Sequence, residues 1–366
     1  MTTGDGVGGA FLLERARIGS DSEPGFVLGN PAAIAVDRER RVYVADMASM
    51  TVKVFDEAGG PLRRFGGRGR DPGKFLTIGP MALIGPGELA IVDDARGALS
   101  TWSTDGEFLG ELTLPDDAHD IGQVEPWGPE SLLLLYDSSE RGRMRAEDKR
   151  GLLFHQTSRT SLATEFQFGT AELGFNHDPT PELHFESFRP PGSFARIGPG
   201  EIAYSPAFYE GNLYLFGQED ANGPWRFRGV LAGFQPSGRA LEQLQPAGGV
   251  LKNLAATVYS DRGVQHFRAV HTSLGLFSTR AGSLVHFLRV RFEQGRDAIL
   301  MQTFSSTGES LFCQQSNLLT KELLEGGLEH EVLAMDDRRQ VYVVSRTPDW
   351  RVPTVRVFEV RPGNDD

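Results

Sequence analysis

A chain of 366 residues with 39% hydrophobic, 10% aromatic and 23% charged side chains has the apolar content of a folded globular protein, which excludes wholesale disorder. Its formal charge of −12 repels phosphate backbones and anionic lipid surfaces, so generic nucleic-acid binding is not expected. Cys313 is the single cysteine, which excludes an internal disulfide, a CxxCH haem attachment and a thiolate zinc cluster.

No run approaches the roughly 18 apolar residues of a bilayer span, and Met1 to Ala10 has neither the basic start nor the apolar stretch of a signal peptide. The chain therefore reads as soluble. Its 44 glycines and 21 prolines are spread along the sequence, as many short strands joined by many tight turns require.

Phe11 to Ile18 (FLLERARI) is a strand-length run standing ahead of any repeat. The first full unit begins at Asn30 and runs PAAIAVD, RERR, VYVAD, TVKVFD, EAGG, PLRRFG. Its Val42, Val44, Val52, Val54 and Phe55 favour extended backbone, and the glycines after Asp56 suit a tight turn. Four such strands in about forty residues make one propeller blade.

A second copy follows from Pro80, with the turn GPGE and the strand LAIVDD, and places Val92-Asp93 where Ala45-Asp46 stood. The third (IGQVEPW, GPES, LLLLYD, GLLFHQ) carries an insertion between Ser138 and Arg150. The fourth (SFARI, GPGE, IAYSP, NLYLFGQ) repeats the GPGE turn. After it, Leu241, Leu244, Leu251, Leu254 and Ala255 recur at helical spacing, which predicts a helical insertion at 237–260. The fifth runs SLGLFS, TRAG, SLVHFLRV, AILMQTFSSTG, ESLFCQQ, and the sixth EVLAMDDRRQVYVVS, TVRVFEVR.

The sixth copy stops after three strands, so 11–18 is expected to pair there and close the ring. The expected architecture is all-β: one six-bladed β-propeller over 10–366, with four-stranded antiparallel blades near 30–66, 77–114, 119–168, 188–233, 271–315 and 329–361 plus 11–18.

The first blade and its linker Gly66-Gly67-Arg68-Gly69-Arg70-Asp71-Pro72-Gly73-Lys74-Phe75 resemble NHL repeats, and especially the bacterial group called six-bladed β-propeller proteins, whose GxGPGEF signature the linker is similar to. The succession Ala-Val-Asp, turn, Val-Tyr-Val-Ala-Asp, Val-Phe-Asp and the opening Arg17-Ile18-Gly19-Ser20 carry the likeness over 10–112, and it returns in the last blade. The resemblance implies a periplasmic or exported protein, with a cytoplasmic one as the alternative where no signal is present. It implies either a protein-binding platform or a metal-dependent lyase or hydrolase, and the fold alone does not choose.

Aligning the blades puts Asn30, Thr77, His119 with Asp120, Arg189, His271 with Thr272, and Glu329 with His330 at the starts of the innermost strands, where an axial channel opens. Asp46, Asp93 and Asp137 return to the same rim, and the strand-end carboxylates Asp46 and Asp93 are expected to accept backbone N–H bonds rather than do chemistry. Three imidazoles converging on an axis, His119, His271 and His330, could hold zinc or another divalent metal. In that arrangement Arg189 would bind an anionic group, with Glu329 or Asp120 as base. Calcium would call on Asn30, Asp120 and Glu329. The bland alternative is a solvated channel mouth without cofactor.

The linker is no phosphate cradle, since no helix with Lys-Ser/Thr follows it, and neither a Gly-x-Ser-x-Gly elbow nor a Cys-His pair occurs. Arg141, Arg143, Arg145, Lys149 and Arg150 form a basic cluster in the third-blade insertion that could dock an acidic protein surface. The expected function is a non-enzymatic interaction platform with a protein partner. Such a platform could be an accessory subunit docking to a larger or membrane-associated assembly, and its insertions on a rigid scaffold are where recognition usually sits.

Overall fold

The computed structural model describes residues 11–19, 23–114, 121–136, 152–170, 192–207, 209, 211–220, 223–233, 256–261, 264–269, 271–279, 282–291, 297–307, 310–319, 329–346 and 352–361. The fold is an all-β, six-bladed propeller of four-stranded antiparallel blades. The first blade is β2 (Pro31–Val36), β3 (Val42–Asp46), β4 (Thr51–Phe55) and β5 (Pro61–Gly66); the second is β6 (Met81–Gly85), β7 (Glu88–Asp93), β8 (Ala98–Ser103) and β9 (Phe108–Thr113). The third is β10 (Ile121–Pro126), β11 (Ser131–Tyr136), β12 (Leu152–Ser158) and β13 (Thr164–Thr170). The fourth is β14 (Ser193–Gly198), β15 (Glu201–Ser205), β16 (Asn212–Gln218) and β17 (Trp225–Ala232).

A separate hairpin, β18 (Ala256–Asp261) with β19 (Val264–Ala269), precedes the fifth blade. That blade is β20 (His271–Ser278), β21 (Leu284–Arg291), β22 (Asp297–Thr307) and β23 (Ser310–Leu319). The sixth is β24 (Glu329–Met335), β25 (Gln340–Arg346) and β26 (Thr354–Arg361), completed by β1 (Phe11–Ile18) from the other end of the chain.

The second strand of each blade explains where the core lies. VYVAD in β3, and all but the first residue of ELAIVD in β7, SLLLLY in β11 and QVYVVSR in β25, are buried on both faces. Because successive side chains point to opposite faces, each such strand feeds two neighbouring seams. Val42 and Val44 join Tyr342 and Val344 across the seam between blades six and one, while Tyr43 and Ala45 join Leu89 and Ile91 across the next. The core is thus divided into six inter-blade clusters, one per seam, rather than gathered at a centre. The outer strands β5 and β9 alternate between half-buried and exposed, as one-sided strands should.

The turns repeat as chemistry as well as spacing. Asp37 accepts the Arg41 N–H at 2.9 Å and the Tyr43 hydroxyl at 2.9 Å; Asp336 accepts the Gln340 N–H at 2.9 Å and the Tyr342 hydroxyl at 3.1 Å. Each turn places an arginine, Arg40 or Arg339, in the left-handed region, with φ of 68° and 63°.

The innermost strands β2, β6, β10, β14, β20 and β24 lie against one another in that order, and β24 returns to β2. Ring closure by the N-terminal strand is as expected: β1 pairs antiparallel with β26 from Phe11 opposite Arg361 to Ile18 opposite Val355. The helical insertion expected at 237–260 is corrected where it is described. Residues 256–260 belong to β18, because Thr257, Val258 and Tyr259 favour extended backbone and pair with Arg268, Phe267 and His266 of β19. The leucines at helical spacing, Leu241 to Leu254, lie outside the described residues, and no helix occurs among the described ones.

Candidate functional site

The rim carboxylates are occupied by structure. Asp46, at the end of β3, accepts the N–H groups of Gly29 at 3.1 Å and Asn30 at 2.6 Å and the Ser49 hydroxyl at 2.7 Å, and it pairs with the buried Lys53 ammonium. Burial pushes this carboxyl up, but the bonds from Lys53, Asn30 and Ser49 together hold it below the ordinary range. Asp93, at the end of β7, accepts Leu76 N–H at 2.8 Å, Thr77 N–H at 2.9 Å and the Thr77 hydroxyl at 2.9 Å. Asn30 Oδ1 accepts from Arg346 at 2.8 Å, across the seam between the first and last blades. Asn30, Thr77, Asp46 and Asp93 are therefore fasteners of the inner strands.

Of the other proposed site residues, His119, Asp120, Asp137, Arg189, Arg141, Arg143, Arg145, Lys149 and Arg150 lie outside the described residues. His271 opens β20, and Glu329 and His330 open β24, two innermost strands that lie side by side. Among the described residues no group of three or more His, Cys, Asp or Glu is arranged to hold a metal ion.

Two titratable groups shaped by their surroundings escape sequence reasoning. Glu125, on β10, keeps a partly open surface, yet the protein around it pushes its carboxyl up to about 7 and the bond from Gln123 offsets only part of that. Gln123 itself clasps the next blade, accepting the Phe194 N–H at 3.0 Å and donating to the Phe194 carbonyl at 3.0 Å. Nearby on the same seam the Arg196 guanidinium lies 4.5 Å above the Trp127 ring.

His286, on β21, is fully buried, and its Nε2 stands 3.0 Å from both the Ser205 and Ser273 hydroxyls. That arrangement has the outline of a nucleophile and its base. Burial, however, holds the imidazole down to about 3, which makes it a weak base for a serine hydroxyl. Ser205 is itself fully buried, which leaves the cluster a pin between blades four and five. The sequence signal for both groups is slight: one polar residue within an apolar or alternating strand.

The seam between blades three and four is aromatic. Trp127 and Trp225 lie 4.9 Å apart, Phe154 stacks on Phe168 at 4.8 Å, and Phe168 stacks on Trp225 at 4.2 Å. Gln156 and Gln218 satisfy the indoles: Trp225 Nε1 donates to Gln156 at 2.9 Å and Trp127 Nε1 to Gln218 at 3.2 Å. This cluster reaches the rim of the disc at β17, where Phe227 is 53% and Val230 50% exposed. Among the strands whose side chains are described, no other shows two large apolar side chains so open.

These features can be set beside known proteins. A family model described as a 6-bladed beta-propeller, DUF5128, matches residues 25–177. That span covers the first three blades. No curated protein matches the chain. Among solved structures, a member of the DUF4221 family from Bacteroides vulgatus aligns with a TM-score of 0.58 at 6% identity, over 97% of this chain and 98% of that one. A candidate exported protein from Bacteroides fragilis aligns with a TM-score of 0.57 at 12% identity, over 96% of both chains. A virginiamycin B lyase from Staphylococcus aureus aligns at 7% identity over 95% of this chain and 99% of that one, with a TM-score of 0.47 that carries no argument. Likeness at these identities shows the fold alone.

Proposed function

We propose that this propeller, built from NHL-like repeats, is a non-enzymatic protein-interaction platform. The observation that carries the reading is the open apolar strip on β17: side chains of this size exposed together on a rigid, interlocked scaffold mark a surface that another molecule covers. The occupied state of Asp46 and Asp93 and the buried His286 support it, since these three polar groups are committed to holding the blades.

The platform works outside the cytoplasm, as an accessory subunit of a larger or membrane-associated assembly. The NHL-like resemblance and the candidate exported neighbour support that part. The basic cluster Arg141, Arg143, Arg145, Lys149 and Arg150 offers a second docking patch for an acidic partner surface.

Native mass analysis of the protein purified from its source is expected to return a complex with a second protein, whereas monomer alone would remove the reading. No resident metal belongs to it. Stoichiometric zinc or calcium in the purified protein, lost in the triple variant His119→Ala, His271→Ala, His330→Ala, would replace the platform with a lyase or hydrolase site at the channel mouth.

A further inference from the structure

The outermost strand of blade four differs in kind from β5 and β9, the outer strands of blades one and two. In β17, Arg226, Phe227, Arg228, Val230 and Ala232 are all exposed. Phe227 stands opposite Phe216 and Val230 opposite Tyr214. Since Phe216 and Tyr214 are two residues apart on β16, their partners share one face. The register shift between Leu215 and Phe216 leaves Arg228 as the extra residue of a bulge, which is how two positions three apart come to the same side. Phe227 meets Phe216 edge-on at 5.9 Å and leaves its other flank open, while half-buried Phe166 and Tyr214 continue the apolar surface toward blade three.

The opposite face of the strand carries two arginines. Arg226 stands opposite Gly217, and Arg228 lies over the same glycine beside the Glu201 stem, where an added Cβ would sit 3.0 Å from Arg228 Nε and 3.3 Å from Glu201 Cγ. Arg226 reaches Glu219 at 3.6 Å with both side chains mostly in solvent, a weak pair, and Arg228 makes no ion pair among the described residues. Along its outer edge, β17 has no strand partner among the described residues. An edge of this length is a template for another strand, and natural proteins usually guard one with charge, proline or a bulge. The outer strands β5 and β9 show that guard: Leu62 and Leu109 stand singly, beside Arg63 paired to Asp105 at 2.7 Å and Glu111 paired to Arg96 at 2.7 Å.

Resting on the platform reading, the geometry points to β17 as the docking strand for an extended, acidic segment of a partner protein. That segment adds as a fifth strand, with alternate apolar side chains against Phe227 and Val230 and the intervening carboxylates against Arg226 and Arg228. Main-chain hydrogen bonds supply affinity in such additions, and the alternating side chains supply the choice of partner. The chain's overall negative charge opposes any acidic partner at long range, but within a Debye length of about 8 Å the two guanidinium groups set the sign of the field.

The probe is a synthetic peptide of about ten alternating valines and glutamates, a usual strand length, with an alternating valine and lysine peptide as control, each added to the full chain. The acidic peptide is expected to slow hydrogen exchange at the alternate amides of 225–232 that do not bond β16. Its affinity should fall about tenfold or more in Arg228→Glu and in Phe227→Ser, which is the scale of one lost anchor, with the thermal midpoint unchanged. Leu62→Ser should bind as the parent does.

Three results would overturn the assignment: those amides already slow in the free protein, which would mean the chain covers its own edge; equal effects of the lysine peptide; or full affinity in both variants. A copurifying partner that binds the double variant Phe227→Ser, Arg228→Glu undiminished would remove β17 as the site while leaving the platform standing.

Discussion

The seam between the last and first blades and the seam between the third and fourth solve the same packing problem with different materials. The first laces its apolar cluster with charge: Arg40 of blade one reaches Asp336 of blade six at 2.8 Å and Arg346 reaches back to Asn30, while within blade six Arg356 of β26 pairs with Glu14 of β1. The second is aromatic, and its polar atoms serve the indoles. Blades three and four are consecutive, so volume alone suffices to seat one on the other. Blades six and one must bring together the two ends of the chain, which costs loop-closure entropy and leaves register open; charge pairs and strand hydrogen bonds set it.

The sharpest test of that difference is removal of residues 1–18. It unpairs β26 along its length and removes Ile18, whose fully buried side chain covers Val355 and Val357. The expected loss is on the order of 5 kcal/mol in urea unfolding, from lost apolar burial and edge hydrogen bonds together. A truncated chain as stable as the parent would mean that the ring does not depend on its borrowed strand.

Next in size is Trp225→Ala, which empties the centre of the aromatic seam and leaves Gln156 without its indole donor. A loss of about 3–5 kcal/mol is expected for a buried tryptophan. Asp336→Asn tests the ionic seam: it keeps the turn but removes the charge facing Arg40, and a loss of about 2–3 kcal/mol follows, less than for a fully buried pair because Asp337 also reaches Arg40 at 3.2 Å. If the aromatic substitution proved the milder of the two, the two seams would not be divided between volume and charge as argued.

How much of this was legible in the sequence follows the same division. Repeats with strong turn chemistry, such as Asp37 to Tyr43 and Asp336 to Tyr342, and strands buried on both faces, such as VYVAD, announce themselves through local pattern. The role of Asp46 and Asp93 was readable because a carboxylate at a strand end has nearby N–H groups to accept.

What escaped depends on the neighbouring blade. Nothing in IGQVEP says that Gln123 will clasp Phe194 or that the Glu125 carboxyl will be pushed up, and nothing in LVHFLRV says that His286 will meet serines 205 and 273. The openness of Phe227 was hidden too, since an outward phenylalanine on a strand reads like an inward one until its register with Tyr214 and Phe216 is known. The strand at 256–260 was misread because helical spacing upstream was carried past the point where Thr257, Val258 and Tyr259 change the preference.

Glu125 and His286, each at a seam flanking blade four, should give opposite effects that build up gradually with pH. Glu125 has a native value near 7 against an ordinary 4.5, so between those limits the native state holds a proton that the unfolded state has released. Its stabilising share is present below about 4.5 and is lost as pH rises through 7. His286 has a native value near 3 against 6.5, so in that window the unfolded state binds the extra proton, and stability is lost as pH falls from 6.5 toward 3. Each contributes a slope of at most about 1.4 kcal/mol per pH unit. Urea midpoints followed across these windows should show Glu125→Gln gaining on the parent as pH rises, and His286→Gln gaining as pH falls. Parallel pH profiles for parent and variants would mean that neither group is shifted as described, and the polar pins beside blade four would then be surface contacts rather than parts of the interlock that holds β17 rigid.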